Sequence, residues 1–293
     1  MDRIGEPQVY YSEANAIAHS SFRAMNTLFD ILICGIEKPK AESIFERVYS
    51  ETIRIEKLLN RFDPESEVSV LNNRAGSQPV NTSLELYAII QECKQLNLLS
   101  NGYFDICINS LEHQNPGMEC LKFNDQLKQI SFANANVKLD FGAYAKGYAL
   151  DKIKEILKGE SITDALINFG NSSILAIGKH PKGNFWKVDL QNIYDPKSSV
   201  YSFELTNNFL TTSGKLPSKI AHVISPIKGE ICDENNTISV VTNSAIIGEA
   251  ISTALFAART EEIQKQILQN LKVDKAYKIV YENSLAKLFV INK

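Results

Sequence analysis

A chain of 293 residues is long enough to bury a substantial core, in one large domain or in two closely packed ones. Hydrophobic residues make up 44% and charged residues 22%, which is the composition of a globular protein and excludes a disordered one. The formal net charge of −3 differs from the clustered basic charge of nucleic-acid-binding domains, so we expect no nucleic-acid partner.

The cysteines and the N-terminus exclude further classes. The five cysteines are scattered and form no Cys-x-x-Cys pair, so we expect buried thiols rather than a disulfide framework or structural zinc. No run of about 18 apolar residues exists, so we expect no integral membrane segment. Residues 1–20 carry neither a signal-peptide core nor a lipid-attachment cysteine. We therefore expect a cytoplasmic protein, or a periplasmic one whose leader was removed.

The hydrophobic periodicity predicts an α+β chain in which strands cluster late. In chain order, the predicted helices are 41–59, 83–100, 142–157 and 244–258. The predicted strands are 25–36, a pair within 165–177 around Gly170, 186–190, 200–205, 209–213, 222–225, 238–241 and a hairpin of 277–281 with 288–291. Residues 104–111 and 130–141 are predicted as short strands or extended loops, and the polar stretch 112–129 as a loop or insertion.

Two segments combine residues that suit phosphate and proton chemistry. Residues 140–151 run from Asp140 through small residues into a predicted helix that carries Lys146. Free backbone amides beside a lysine can cradle a phosphate, although an ordinary strand-to-helix turn with a solvated lysine explains the same residues. His222 follows the hydroxyl-rich segment 211–213 and is either a candidate general base or a structural histidine.

Two further segments suit a metal and a flat ligand. Glu249 and Thr253 are four residues apart on a predicted helix, so both oxygens project from one face and suit Mg²⁺. The alternative is a helix-terminal acid with a buried threonine. Phe104 and Asp105 follow the turn at 101–102 and fit a flat heterocycle. A core phenylalanine with a turn-capping aspartate explains them equally.

Taken together and in this order, these segments resemble the ApbE family of flavin transferases, from about Met25 to Ala258. The most specific match is 140–151, which follows the family pattern Asp-x-Gly-x-x-Ala-Lys-Gly-Tyr-x-x-Asp. The other matching segments are 25–27, 62–67 with 71–72, 102–105, 168–170 with 174–178, 213–214 with 222–229, and 250–255.

The resemblance implies an ApbE-like, T-fold-related α+β architecture of mixed, largely antiparallel sheets with flanking helices. It implies an N-terminal extension over residues 1–20 and one flavin transferase domain over 21–293. The implied enzyme is an FAD:protein FMN transferase, which moves FMN from FAD to a Thr or Ser hydroxyl of a redox-type acceptor protein and releases AMP. The alternatives are an FAD pyrophosphatase giving FMN and AMP, and a catalytically weak FAD-binding protein.

The resemblance also implies roles for individual residues. The implied flavin contacts are Met25, Phe62, Tyr103, Phe104, Asp105, Asp140, Lys146 and Ile224. Mg²⁺ is expected at the backbone carbonyl of Ala143 with Glu249 and Thr253, where it would neutralise charge on the leaving AMP. His222 is the candidate base for the acceptor hydroxyl. The chain departs from the family pattern at Glu249 and Ser225, where Asp is usual, and at Asn171, where Gly is usual.

Overall fold

The computed structural model describes residues 7–110, 117–219 and 223–293. The strands are β1 (Gln8–Ser12), β2 (Ile17–Ala24), β3 (Thr27–Cys34), β4 (Val80–Asn81), β5 (Leu121–Asn124), β6 (Gln129–Phe132), β7 (Ala165–Phe169), β8 (Ser173–Ile177), β9 (Trp186–Asn192), β10 (Asp195–Leu205), β11 (Phe209–Gly214), β12 (Asn236–Thr242), β13 (Lys275–Glu282) and β14 (Leu285–Asn292). The helices are α1 (Lys38–Leu59), α2 (Glu67–Arg74), α3 (Leu84–Leu99), α4 (Ala145–Gly159), α5 (Ala245–Ala257) and α6 (Glu261–Asn270).

A nine-stranded sheet organises the described chain, in the order β1-β2-β3-β7-β8-β11-β12-β13-β14. Every neighbouring pair in it is antiparallel. The strands β4, β6 and β5 form a small second sheet, and β9 pairs with β10. This arrangement confirms the predicted α+β class with largely antiparallel sheets. The proposed boundary at residue 20 stays a prediction, and β1 and β2 both begin before it.

Both faces of the large sheet are buried, because its central strands carry apolar side chains on both sides. Along β3, Ile31 and Ile33 pack into the main core with the helices, while Leu32 and Cys34 pack into a second cluster. Successive strand side chains point to opposite faces, so the two clusters lie on opposite sides of the sheet. The β9–β10 hairpin covers the second cluster, and the Trp186 indole donates to the Ile177 carbonyl at 2.8 Å.

Side-chain caps define several helix starts near the site. Ser83 accepts a hydrogen bond from the Leu86 amide at 3.1 Å and caps α3, which begins one residue after the predicted start at 83. Asp151 of α4 accepts bonds from the Ala245 amide at 3.1 Å and the Ile246 amide at 3.2 Å, so its carboxylate caps α5. This contact fixes the start of α5 relative to α4.

The predicted strand pair around Gly170 is confirmed as β7 and β8, and the closing hairpin as β13 and β14. The predicted loop or insertion 112–129 is wrong at Leu121–Asn124, which forms β5 against β6. The predicted strand 222–225 is also wrong in its described part, where Ile224 makes a single bridge to Ile231. No helix in the described ranges has both the length and the apolar content to cross a bilayer.

Candidate functional site

A buried polar cluster joins α4, α5 and the start of β8. The Lys146 ammonium lies 2.7 Å from Glu249 Oε1 and donates to Ser172 and Ser173 at 2.9 and 2.7 Å. The Ser173 hydroxyl also donates to Glu249 Oε1. Glu249 is 3% exposed, so its charge needs these partners in place of water. Two predicted site residues, separated by 103 positions, are therefore in direct contact.

Gly147 allows this contact because it lets the two helices approach. A β-carbon at Gly147 would lie 2.8 Å from both the Ala245 carbonyl oxygen and the Glu249 Cγ. Such distances are too short for a side chain at position 147, so α4 and α5 touch through backbone there. Gly147 therefore has a packing role, in addition to the phosphate-binding role that the sequence suggests for the 140–151 motif.

A row of hydroxyl groups continues the cluster along α5. The Ser213 hydroxyl of β11 lies 2.8 Å from the Ser252 hydroxyl and 3.2 Å from the Thr253 hydroxyl. Thr253 is half-buried and lies one helical turn beyond Glu249, as the sequence spacing predicts. The helix therefore presents a carboxylate and a hydroxyl along one face.

A cavity of about 390 Å³ opens beside the N-terminal turn of α4. Its wall includes Met25 from the β2–β3 turn, Phe62 from the α1–α2 loop, and Asp140. Gly142 and Ala145 also line the cavity, and Ala145 directly precedes Lys146 of the polar cluster. Phe62 is 78% exposed, so its ring is available to a flat ligand. Three predicted flavin contacts thus share one cavity.

Asp140 is held in place from three sides. Its Oδ1 accepts from the Gly142 amide at 2.8 Å, and its Oδ2 accepts from the Asn109 side chain at 2.6 Å. The Arg61 Nε lies 2.9 Å from the same Oδ2 as an ion-pair contact without hydrogen-bond alignment. The Arg61 guanidinium also stacks 4.3 Å above the Phe62 ring. Arg61 therefore bridges two cavity residues.

Tyr103, Phe104, Asp105 and Ile224 lie outside this cavity wall. Phe104 is 1% exposed and packs in the main core, while Tyr103 and Ile224 are half-buried. Asp105 Oδ1 accepts from the Cys107 amide at 2.7 Å. The Asp140 amide donates to the Ile106 carbonyl at 2.8 Å, which ties this segment to the cavity.

A phenol anchors the turn that carries Ala143. Tyr144 is fully buried, and its hydroxyl donates to the Glu92 carboxylate of α3. Burial raises the pKa of Tyr144, with the negative charges of neighbouring groups adding to the effect, so the phenol keeps its proton. Ala143 lies three residues before Lys146 at the entry of α4.

The structure describes only some of the residues predicted to bind the metal or to act as the base. His222 lies outside the described residues. Among the residues that the structure describes, no group of three or more His, Cys, Asp or Glu side chains is arranged to hold a metal. The Glu249 carboxylate and the Thr253 hydroxyl are nevertheless oxygen donors on one helix face, the chemistry that Mg²⁺ prefers. The donor set fits a hard cation that would share Glu249 with Lys146.

Sequence reasoning missed three polar partners of the site. Ser172 and Ser173 hold Lys146, and Arg61 pairs with Asp140. Ser173 begins a buried strand, where a serine has no distinctive local signal. Arg61 directly precedes the matched segment 62–67, and this position is the sequence feature that could have indicated a role in the site. Asn171 adopts the left-handed conformation (φ 58°) that the usual glycine would provide.

Comparison with known proteins decides the family. The family model described as the ApbE family matches residues 25–276 of this chain. The chain belongs to the ApbE family. The resemblance inferred from the motifs is therefore confirmed, and the match extends beyond the predicted limit at Ala258 to the start of β13.

Relatives within the family carry a transferase name. The chain is 23% identical over 263 residues to an FAD:protein FMN transferase of Klebsiella pneumoniae, covering 80% of this chain and 81% of that protein. It is 24% identical over 264 residues to one from Chlamydia muridarum, covering 78% and 79%. The fold matches that of the flavin transferase ApbE from Vibrio cholerae, with a TM-score of 0.80, 18% identity and coverage of 94% and 97%. An ApbE protein from Thermotoga maritima gives a TM-score of 0.77 at 19% identity, with 96% of each chain covered.

Proposed function

We propose that this chain is a magnesium-dependent FAD:protein FMN transferase. In the proposed reaction, a Thr or Ser hydroxyl oxygen of an acceptor protein attacks the FMN phosphorus of FAD. The bond from that phosphorus to the bridging pyrophosphate oxygen breaks, and AMP leaves with that oxygen. The hydroxyl proton passes to a base on the enzyme, and the acceptor keeps FMN as a phosphoester.

The observation that carries this proposal is the junction of the cavity with the polar cluster. The turn that leads into α4 contributes Gly142 to the cavity wall, and the first turn of α4 contributes Ala145 to the wall and Lys146 to the cluster. A flavin ring against Phe62 would extend its pyrophosphate along this turn, where backbone amides and a lysine favour negative charge. The transferase names of family members with matching coverage support the same assignment.

We assign the metal to the backbone carbonyl of Ala143 with Glu249 and Thr253. Magnesium bound there would neutralise negative charge on the pyrophosphate and on the leaving AMP. Glu249 is anchored by Ser173 and Lys146, so its carboxylate stays oriented in the absence of other ligands.

The other polar residues position the substrates. Asp140, fixed by the Gly142 amide and Asn109, presents a constant hydrogen-bond acceptor to the flavin. The three protons of the Lys146 ammonium face Ser172, Ser173 and Glu249, so donation to a phosphate oxygen would replace the contact with Glu249. His222 is the proposed base, since a neutral imidazole near pH 7 accepts a hydroxyl proton.

A single incubation tests the proposal. The full chain is mixed with FAD, MgCl₂ and a purified flavin-acceptor domain, and the products are separated by denaturing gel fluorescence and by chromatography. Covalently fluorescent acceptor together with an equal amount of AMP supports the transferase. An acceptor whose target Thr or Ser is replaced by Ala is the matched control.

Two other product patterns contradict the proposal. Free FMN with AMP, formed equally with and without acceptor, identifies a pyrophosphatase, and bound but unchanged FAD identifies a binding protein. The metal assignment is tested separately with Glu249→Ala, which should abolish the magnesium-dependent reaction while FAD binding is retained. Equal turnover of this variant and the wild type would refute Glu249 as a ligand.

A further inference from the structure

Every proton of the Lys146 ammonium faces a partner in the buried polar cluster. The ammonium lies 2.7 Å from Glu249 Oε1, and it donates to the Ser172 and Ser173 hydroxyls at 2.9 and 2.7 Å. The Lys146 side chain is 19% exposed and the Glu249 side chain 4% exposed, so water contributes little to either group. Lys146 is therefore the protein's own counter-cation for Glu249.

This position of Lys146 overlaps with both roles proposed for the site. Glu249 is the proposed carboxylate ligand of Mg²⁺, and Lys146 is the proposed donor to a phosphate oxygen of FAD. An ammonium whose protons all have partners can donate to a phosphate only by leaving one of them. The contact with Glu249 is the one that has a replacement in the proposed complex, because Mg²⁺ can balance that carboxylate.

The charges of the cluster indicate when this exchange is favourable. In the protein alone, the Glu249 carboxylate balances the Lys146 ammonium. A divalent cation added next to both leaves an excess of positive charge in a site that is largely shielded from water, and unpaired charge is costly there. The phosphate groups of FAD each carry a negative charge, so they restore the balance when FAD binds together with Mg²⁺.

We propose that Lys146 is a displaceable counter-cation, which pairs with Glu249 in the ligand-free protein and with the FAD pyrophosphate when Mg²⁺ occupies Glu249. The movement retains the hydrogen bonds from Lys146 to Ser172 and Ser173 and exchanges only its ionic partner. Mg²⁺ and FAD therefore bind with positive coupling, and each strengthens the binding of the other by the same factor. This inference rests on the proposed function, because it takes Mg²⁺ and FAD as the ligands of the site.

Binding measurements on the full chain, without acceptor protein, test the coupling. Mg²⁺ affinity is measured by isothermal titration calorimetry with and without saturating FAD, at constant ionic strength. Chromatography of the samples confirms that FAD stays intact. We expect FAD to tighten Mg²⁺ binding by roughly 5- to 150-fold, the usual range for coupling between two sites. Equal Mg²⁺ affinity in both titrations of the wild type overturns the proposal, whatever any variant does.

Lys146→Met separates this exchange from direct bridging of Mg²⁺ to the pyrophosphate. The variant has no ammonium to displace, so without FAD it should bind Mg²⁺ at least about fivefold more tightly than the wild type. With Mg²⁺ present, the same variant should bind FAD more weakly, because the pyrophosphate loses a cationic partner. A lysine that only donates to phosphate would not affect Mg²⁺ binding without FAD, so an unchanged or lower Mg²⁺ affinity of the FAD-free variant overturns the proposal.

Two further variants control for net charge and for folding. Lys158→Met removes the same charge from the exposed last turn of α4 and should leave both affinities unchanged. An equal gain of Mg²⁺ affinity in Lys158→Met would show a general charge effect and would overturn the role of Lys146. Lys146→Gln is neutral but still donates hydrogen bonds, so it provides the same measurement if the methionine variant fails to fold.

The outcome is separate from that of the acceptor-labelling experiment. A chain that labels its acceptor, but whose Lys146→Met variant gains no Mg²⁺ affinity, is a transferase without the exchange. A chain that shows both the coupling and the gain but labels no acceptor retains the exchange and contradicts the proposed function.

Discussion

Replacement of Lys146 by methionine tests whether the buried ion pair joins α4 to α5. Methionine keeps the length of the side chain and removes its charge. Glu249 then remains buried, with a side chain 4% exposed and with Ser173 as its remaining donor in the cluster. The Lys146 side chain is itself 19% exposed, so solvent screens the pair little. We expect Lys146→Met to destabilise the protein strongly.

The magnitude follows from the state of the carboxylate that is left behind. Removal of one partner of a buried pair costs about 3–5 kcal/mol, because the other charge stays buried and uncompensated. The Ser173 hydroxyl continues to donate to Glu249, which places the expected loss near the lower value, about 3 kcal/mol. In a chain of 293 residues, that loss corresponds to a fall in Tm of roughly 5 °C.

Urea unfolding in metal-free buffer, followed by the fluorescence of Trp186 and by circular dichroism, measures the change. The matched control is Glu249→Gln, which is neutral and nearly isosteric. In the Glu249→Gln background, Lys146→Met should cost much less than in the wild type, because no charge is left unpaired. A double-mutant cycle then gives the coupling between the two residues, expected at about 2–3 kcal/mol.

Two results would refute this reasoning. A loss below about 1 kcal/mol would place the Lys146–Glu249 pair among weak surface pairs, contrary to its burial. An equal cost of Lys146→Met with Glu249 and with Gln at position 249 would show that the methionine acts through packing rather than through charge.

Three further predictions address the helix contact, the cavity and the base. Gly147→Ala should destabilise the protein by about 1–3 kcal/mol, because the new β-carbon would meet backbone atoms of α5. Gly159→Ala on the same helix is the control, since its β-carbon would meet no atom within 4 Å and should leave stability unchanged. Thermal unfolding compares the two variants. Phe62→Ala should leave stability unchanged and weaken FAD binding by about 0.5–1.5 kcal/mol in a fluorescence titration, and Leu127→Ala, exposed outside the cavity wall, should do neither. His222→Asn should slow acceptor labelling far more than it weakens FAD binding; unchanged labelling rates would assign the proton transfer to another group.

Local patterns in the sequence were sufficient for the elements that depend on neighbouring residues. Ser83 caps α3 where predicted, and the turn at Gly170 and Asn171 joins two strands as predicted, with both residues at positive φ. The predictions failed where an element is defined by a distant partner. The strand β5 lies in the polar stretch 112–129, for which the sequence predicts a loop or insertion, because an alternating pattern of four residues is too short to identify a strand until β6 pairs with it.

The candidate site divides in the same way. The 140–151 motif and the spacing of Glu249 and Thr253 are local, so the sequence identified them as chemically unusual. It associated Lys146 with flavin, whereas the structure gives it a buried carboxylate and two serines as partners. No local pattern predicts these contacts, because Ser173 and Glu249 come from different elements. The predicted roles of His222 and of the metal ligands stay predictions.

By itself, the sequence determined the family, the α+β class and the segments that carry chemistry, since motif order and periodicity are properties of the chain. Only the tertiary structure decided which of those segments meet. Folding closes the 103-residue separation between Lys146 and Glu249 because Gly147 lets two helices touch and Asp151 caps the second helix. These contacts depend on the free energy of packing the whole chain, and residue spacing does not encode them.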